Sequence, residues 1–155
     1  MNMRHMKFAI FAVILCMTFF LLACKKSNSD TPTASSAVSE ELIRTNQSWD
    51  GRELPDYPQG APEIVAVKYT IQPGQKLGWH HHPSMNHGVL VQGELTIFGL
   101  DGATYVVHEG EVVVEMVDAV HHGMNTGTKP AILYMFYLSQ KDVPLSVQHP
   151  DIPME

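Results

Sequence analysis

Residues 74–93 read GQKLGWHHHPSMNHGVLVQG and residues 110–125 read GEVVVEMVDAVHHGMN, and these two stretches decide the fold. Of the nine histidines in the chain, all but His5 and His149 fall between His80 and His122. They gather in two groups separated by apolar, β-branched sequence. His80 and His82 are two residues apart, so on a strand their rings share one face and His81 takes the other. The same alternation brings Asn86 to the face of His80 and His82 and turns His87 away from it. A bulge near His87 and Gly88 would exchange the last two.

Working outward, Ile64–Ile71 is rich in β-branched residues, too short for a good helix, and closed by the turn Pro73-Gly74. Similar apolar runs recur at Gly88–Gln92, Leu95–Phe98, Thr104–Val107, Val112–Val117 and Ala131–Leu138. Gly93, Asp101-Gly102, Gly110 and residues 126–130 punctuate them. Many short strands at this spacing predict an all-β sandwich or barrel, with at most one helical turn near Glu40–Arg44. Residues 49–62, WDGRELPDYPQGAP, are too rich in proline and glycine for regular structure. Trp49 and Tyr57 within them are expected to pin an arm onto the barrel or to close a pocket mouth.

At this point the chain resembles the cupin superfamily, in particular its small single-domain exported members. The first cupin motif, G-x5-H-x-H-x(3,4)-E-x6-G, is matched by Gly74, His80, His82 and Gly93, with Asn86 standing where the family has glutamate. The second, G-x5-P-x-G-x2-H-x3-N, is matched by Gly110, His121 and Asn125, with Met116 and Asp118 in place of proline and glycine. The resemblance implies a double-stranded β-helix, or jelly-roll-like cupin barrel, whose motif histidines converge on one divalent metal. It covers roughly Ile64–Leu138. It does not name a reaction, because one fold carries many functions.

His80, His82 and His121 are the expected metal ligands, since neutral imidazole is a common ligand for divalent transition metals and three of them leave coordination positions open. Iron, manganese, nickel and zinc all fit such a set. Asn86 is the candidate fourth ligand by position, with His87 as its rival if the longer motif spacing applies. An amide donates only a neutral oxygen, so replacing glutamate leaves the centre one unit more positive and favours a small anionic substrate. Glu115 lies in an otherwise apolar run. As a buried carboxylate it must be paired, hydrogen-bonded or protonated. It is a candidate catalytic acid or base, or a replacement ligand, against the plainer expectation of a strand-end carboxylate paired with Lys68 or Arg52. One of Tyr134 and Tyr137 is expected to line the cavity. His81, His108 and His122 are expected to face outward or to hydrogen-bond to groups around the ligands, and His5 and His149 to matter little.

Residues 1–23 carry Arg4 and Lys7 ahead of the apolar run Phe8–Leu22, the layout of a secretory signal. The run is short for a spanning helix. Its end, Leu21-Leu22-Ala23-Cys24, resembles a bacterial lipobox, which implies that Cys24 is lipidated, palmitate included, and becomes the mature N-terminus. The expected organisation is a lipoprotein signal peptide over 1–23, lipidated Cys24 and a flexible tether over 24–39, an N-terminal arm over 40–63, the barrel over 64–140 and a C-terminal tail over 141–155. Lys25 after the cysteine places the protein, by resemblance, on the outer membrane facing the periplasm in a cell that has one. The cupin resemblance also implies a homodimer.

The composition narrows the rest. A chain of 155 residues with 45% hydrophobic content suffices for one compact domain. A formal charge of −6 offers no basic surface for phosphate neutralisation, so no nucleic acid is expected. Both cysteines, Cys16 and Cys24, precede the barrel, so a metal there must be held by His, Asn or carboxylate. No nucleophile elbow and no phosphate-cradling glycine loop occurs. Two functions remain open: a metal-dependent dioxygenase, lyase or isomerase of the cell envelope, and a module that binds a small molecule or the metal itself without turnover.

Overall fold

The computed structural model describes residues 37–154. Residues 1–36, where the expected signal peptide, Cys24 and most of the expected tether fall, lie outside the described residues. Nine strands follow one another: β1 (Pro62–Ile71), β2 (His80–His81), β3 (Met85–Gln92), β4 (Glu94–Gly99), β5 (Thr104–His108), β6 (Val112–Val114), β7 (His121–Met124), β8 (Ala131–Gln140) and β9 (Val147–Gln148). They form two antiparallel sheets, one ordered β1-β8-β3-β6 and the other β5-β4-β7-β2-β9. Among the described residues there is no helix, and Glu40–Arg44 is irregular. This is the all-β double-stranded β-helix that the strand pattern and the resemblance called for.

Strict alternation explains how the sheets face each other. On β8, Ala131, Leu133, Met135, Tyr137 and Ser139 point inward, while Tyr134 and Phe136 between them stay exposed. The inward set meets Ile71, Leu90, Leu95, Ile97, Val107 and Val113 in the core between the sheets. Each such aliphatic side chain contributes about 1.5–3 kcal/mol through burial. Inward-facing Gly88 is demanded by packing: a Cβ there would meet the Tyr134 carbonyl at 2.6 Å. Gly93, at φ +86, turns β3 into β4.

Several boundaries differ from expectation: β1 begins at Pro62, within the expected arm, β3 begins at Met85, and β8 runs to Gln140. β6 ends at Val114, and the chain leaves the sheet where the apolar run continues to Val117. The departure passes through Asp118 at φ 54, the left-handed region, where the cupin motif has glycine and where aspartate is tolerated better than most residues. The segment expected to be only a tail contains β9, which pairs with β2. In the arm, Trp49 stacks on Tyr105 with centroids 5.8 Å apart and so pins residues 46–54, whereas Tyr57 stays 72% exposed and pins nothing. Asn125 ties the far end of the barrel together, donating to the carbonyls of Ile71 and Lys129 and accepting from the amide of Gly127.

Candidate metal centre

His80 opens β2 and pairs across the ladder with His121, the first residue of β7. His82 follows β2 and is held by a parallel bridge to Val117 and by its carbonyl, which accepts from the amide of Asp118 at 2.9 Å. The three rings meet with centroids 4.6 to 5.1 Å apart. Each ring donates its Nδ1–H to a backbone carbonyl: His80 to Gly78 at 2.8 Å, His82 to Leu145 at 2.7 Å and His121 to Ala119 at 2.9 Å. Those bonds set the tautomer, so each ring, when neutral, presents a lone pair on Nε2. One ligating nitrogen from each lies within 4.8 Å of the others, and all three residues are buried. Nε2 of His121 has no hydrogen-bond partner. Three buried lone pairs converging on one point fit a divalent cation.

Glu115 completes the cluster. Its Oε2 lies 2.7 Å from Nε2 of His82 and 3.4 Å from Nε2 of His121, with the carboxylate 9% exposed. Neither Lys68 nor Arg52 is its partner: Lys68 sits over the outer Tyr134 ring, and Arg52 pairs with Asp50 and Asp101. Burial acts to raise the Glu115 pKa, but the imidazoles of His121 and His82 outweigh it and hold the group well below the usual carboxylate range. Burial likewise opposes a proton on His121, yet the Glu115 carboxylate beside it raises the His121 pKa. His80, dominated by burial and farther from that carboxylate, is lowered to about 4 and is neutral at pH 7.

The cavity has a volume of about 200 Å³. Glu115 is its one acid, and no Lys or Arg lines it. Leu77, Leu95, Ile97, Leu133 and Met135 supply apolar walls, and Ser146 and Gln148 from the tail lie at its edge. Of the two candidate tyrosines, Tyr137 lines it, its hydroxyl 3.1 Å from that of Tyr69. Burial and the Tyr69 hydroxyl push the Tyr137 phenol up, so it stays protonated.

Asn86 is 1% exposed on the inner face of β3, but it does not line this cavity; its Nδ2 donates to the Ser84 carbonyl at 3.3 Å and its Oδ1 has no partner. His87 points outward and stacks on Phe136, and the β3 irregularity falls between Leu90 and Gln92, clear of this alternation. His122 faces outward but is 8% exposed, wedged between Trp79 and Phe98. His81 bonds His149, which gives that tail residue a contact the sequence did not signal. The Leu145 carbonyl, Ser146 and Gln148 were not foreseen either, since nothing local marks a tail that folds back.

A family model described as a cupin domain matches residues 67–137. No curated protein matches the chain. Among solved structures, it is similar to an oxalate decarboxylase formate complex from Lactobacillus farciminis, at 27% identity and TM-score 0.48, over 55% of this chain and 26% of that one. It is also similar to a conserved protein with a double-stranded β-helix domain from Klebsiella pneumoniae, at 20% identity and TM-score 0.46, over 67% and 90% of the two chains. A cupin domain from Bordetella pertussis aligns at 17% identity and TM-score 0.45, over 56% and 99%. The chain therefore spans about a quarter of the decarboxylase and most of the two small proteins.

Proposed function

We propose, for a chain whose residues 67–137 match a cupin-domain model, a metal-dependent enzyme, a dioxygenase, lyase or isomerase, that acts on a small monoanionic molecule such as a carboxylate or sugar acid. The observation that carries it is the convergence of three buried Nε2 lone pairs, each aimed by an Nδ1–H bond to the backbone. When bound there, a divalent cation supplies Lewis acidity toward a ligand oxygen or a bound water. The apolar walls exclude bulk water, and the hydrogen-bonded pair of Tyr69 and Tyr137 hydroxyls leaves one O–H free to donate to a ligand. A substrate anion would find no cationic side chain in the cavity, so one negative charge, matched at the centre, is the limit.

The test is elemental analysis of the full chain, purified in detergent without added metal, beside His82→Ala. Near-stoichiometric iron, manganese, nickel or zinc in the wild type and its loss in the variant support the reading, and the metal found directs the activity assay. A folded protein with little metal in either form sinks it. One observation favours a module that binds the metal itself: 200 Å³ lies below the roughly 300–1,000 Å³ of common small-molecule sites. Retention of metal or ligand with no turnover would decide for that reading.

The proposal includes export and anchoring through lipidated Cys24, with the domain at the envelope surface; a Cys24→Ser variant that still partitions with membranes would overturn it. It also includes a homodimer. Ile64, Tyr134 and Phe136 expose 73%, 38% and 36% of their surfaces on the outer face of the first sheet, an apolar patch suited to a second copy. A monomeric mass by light scattering would remove that part.

A further inference from the structure

We propose that Glu115 is the fourth protein ligand of the centre, so that the anionic donor comes from the β6 end rather than from β3. The inference rests on the metal reading above. In the β3–β6 ladder His87 faces Val114. One step further the pairing continues, with the Glu115 amide donating to the Asn86 carbonyl at 3.1 Å. Asn86 and Glu115 are therefore cross-strand neighbours on the inner face, where opposed Cβ atoms stand roughly 4.5–5.5 Å apart. At one of these two positions the cupin motif has glutamate. Here that position holds an amide, and its neighbour in the otherwise apolar run holds the carboxylate.

Geometry distinguishes the two. Asn86 turns its Nδ2 to the Ser84 carbonyl and does not enter the cavity. Glu115 reaches two of the three histidines, with Oε2 2.7 Å and 3.4 Å from Nε2 of His82 and His121. Both rings have committed Nδ1–H elsewhere, so a carboxylate oxygen facing their Nε2 atoms is repelled unless a proton or a metal cation places a positive charge among them. A divalent cation shared by three nitrogens and one oxygen provides that charge. With three neutral imidazoles and one carboxylate the centre carries a net single positive charge, instead of the two it would carry with His and Asn alone. An oxygen committed in this way is not free to act as a general base.

The experiment measures Zn(II) affinity of the full chain by competition with a chromophoric chelator, together with the absorption spectrum of the Co(II)-loaded protein. Glu115→Gln should weaken Zn(II) binding at least about tenfold and shift the Co(II) bands. The transposed variant Asn86→Glu/Glu115→Asn, which keeps composition and charge and guards against a folding failure of the single variant, should regain most of the affinity. Affinity within twofold of wild type and an unchanged Co(II) spectrum in Glu115→Gln, while His82→Ala loses the metal, would overturn the ligand role and leave the three-histidine site standing. Wild-type protein that takes up neither ion would remove both.

Discussion

At the scale of single residues, the centre depends on which imidazole nitrogen is free. Backbone carbonyls of Gly78, Leu145 and Ala119 hold the Nδ1–H groups, and buried surroundings keep His80 neutral, its pKa lowered to about 4 from 6.5. A basic group that binds its proton less readily in the fold than in the open chain makes stability rise with pH between the two values. The contribution of His80 is accordingly lost as pH falls from 6.5 toward 4. In chelator-treated protein, lowering the pH from 7 to 5 should cost wild type about 2 kcal/mol more than His80→Gln, read from urea midpoints. His121, raised by Glu115, works in the opposite sense, which is why the comparison is with the single variant. Equal losses in the two proteins would show that His80 is not held neutral.

At the scale of elements, the C-terminal segment is part of the site. β9 pairs with β2, the amide of His149 donates to the Trp79 carbonyl, and Leu145 accepts the Nδ1–H of His82. Ending the chain at Pro144 removes the orienting acceptor of His82 but no ligand. The core strands should persist by circular dichroism while metal affinity drops on the order of 10–100-fold, the usual effect of deleting such a partner; unchanged affinity would make the tail a mere edge strand. A second prediction concerns β3 and β8. Gly88→Ala places a Cβ against the Tyr134 carbonyl at 2.6 Å and against the Met135 side chain, so it should destabilise by about 1–3 kcal/mol in urea titration, and a neutral result would mean the two strands can separate freely. These elements also show what a sequence discloses. His80, His82, Asn86 and His87 were legible because side-chain alternation is a local, two-residue property, and β8 was legible for the same reason. The end of β6 was not, since Val117 is as apolar as Val114 and only the turn through Asp118 makes the exit. The partner of Glu115 and the return of the tail were hidden because each depends on contacts far apart in the chain, which no local pattern encodes.

At the scale of the molecule, the centre sits where the two sheets meet. His80 and His121 belong to β2 and β7 of one sheet, while Glu115 leaves β6 of the other and pairs with β3. A cation held by both sides would fasten the sheets at the end of the barrel where the chain crosses between them. The open chain can offer only local sets such as the run His80-His81-His82 or the pair His121-His122, not the converged centre, so it should bind far more weakly than the fold. Preferential binding to the folded state at a hundred times the dissociation constant stabilises by about 2.7 kcal/mol. For a domain of this size that is a rise in Tm on the order of 10 °C. The measurement is a thermal melt of chelator-treated protein titrated with Zn(II), and the expected result is a Tm that continues to rise with the logarithm of free Zn(II) beyond one equivalent, an effect absent in His121→Ala. Zn(II) binding with no change in Tm would mean that the ion is held by a local run such as His80-His81-His82, equally in folded and open chains, and that the two sheets do not share it.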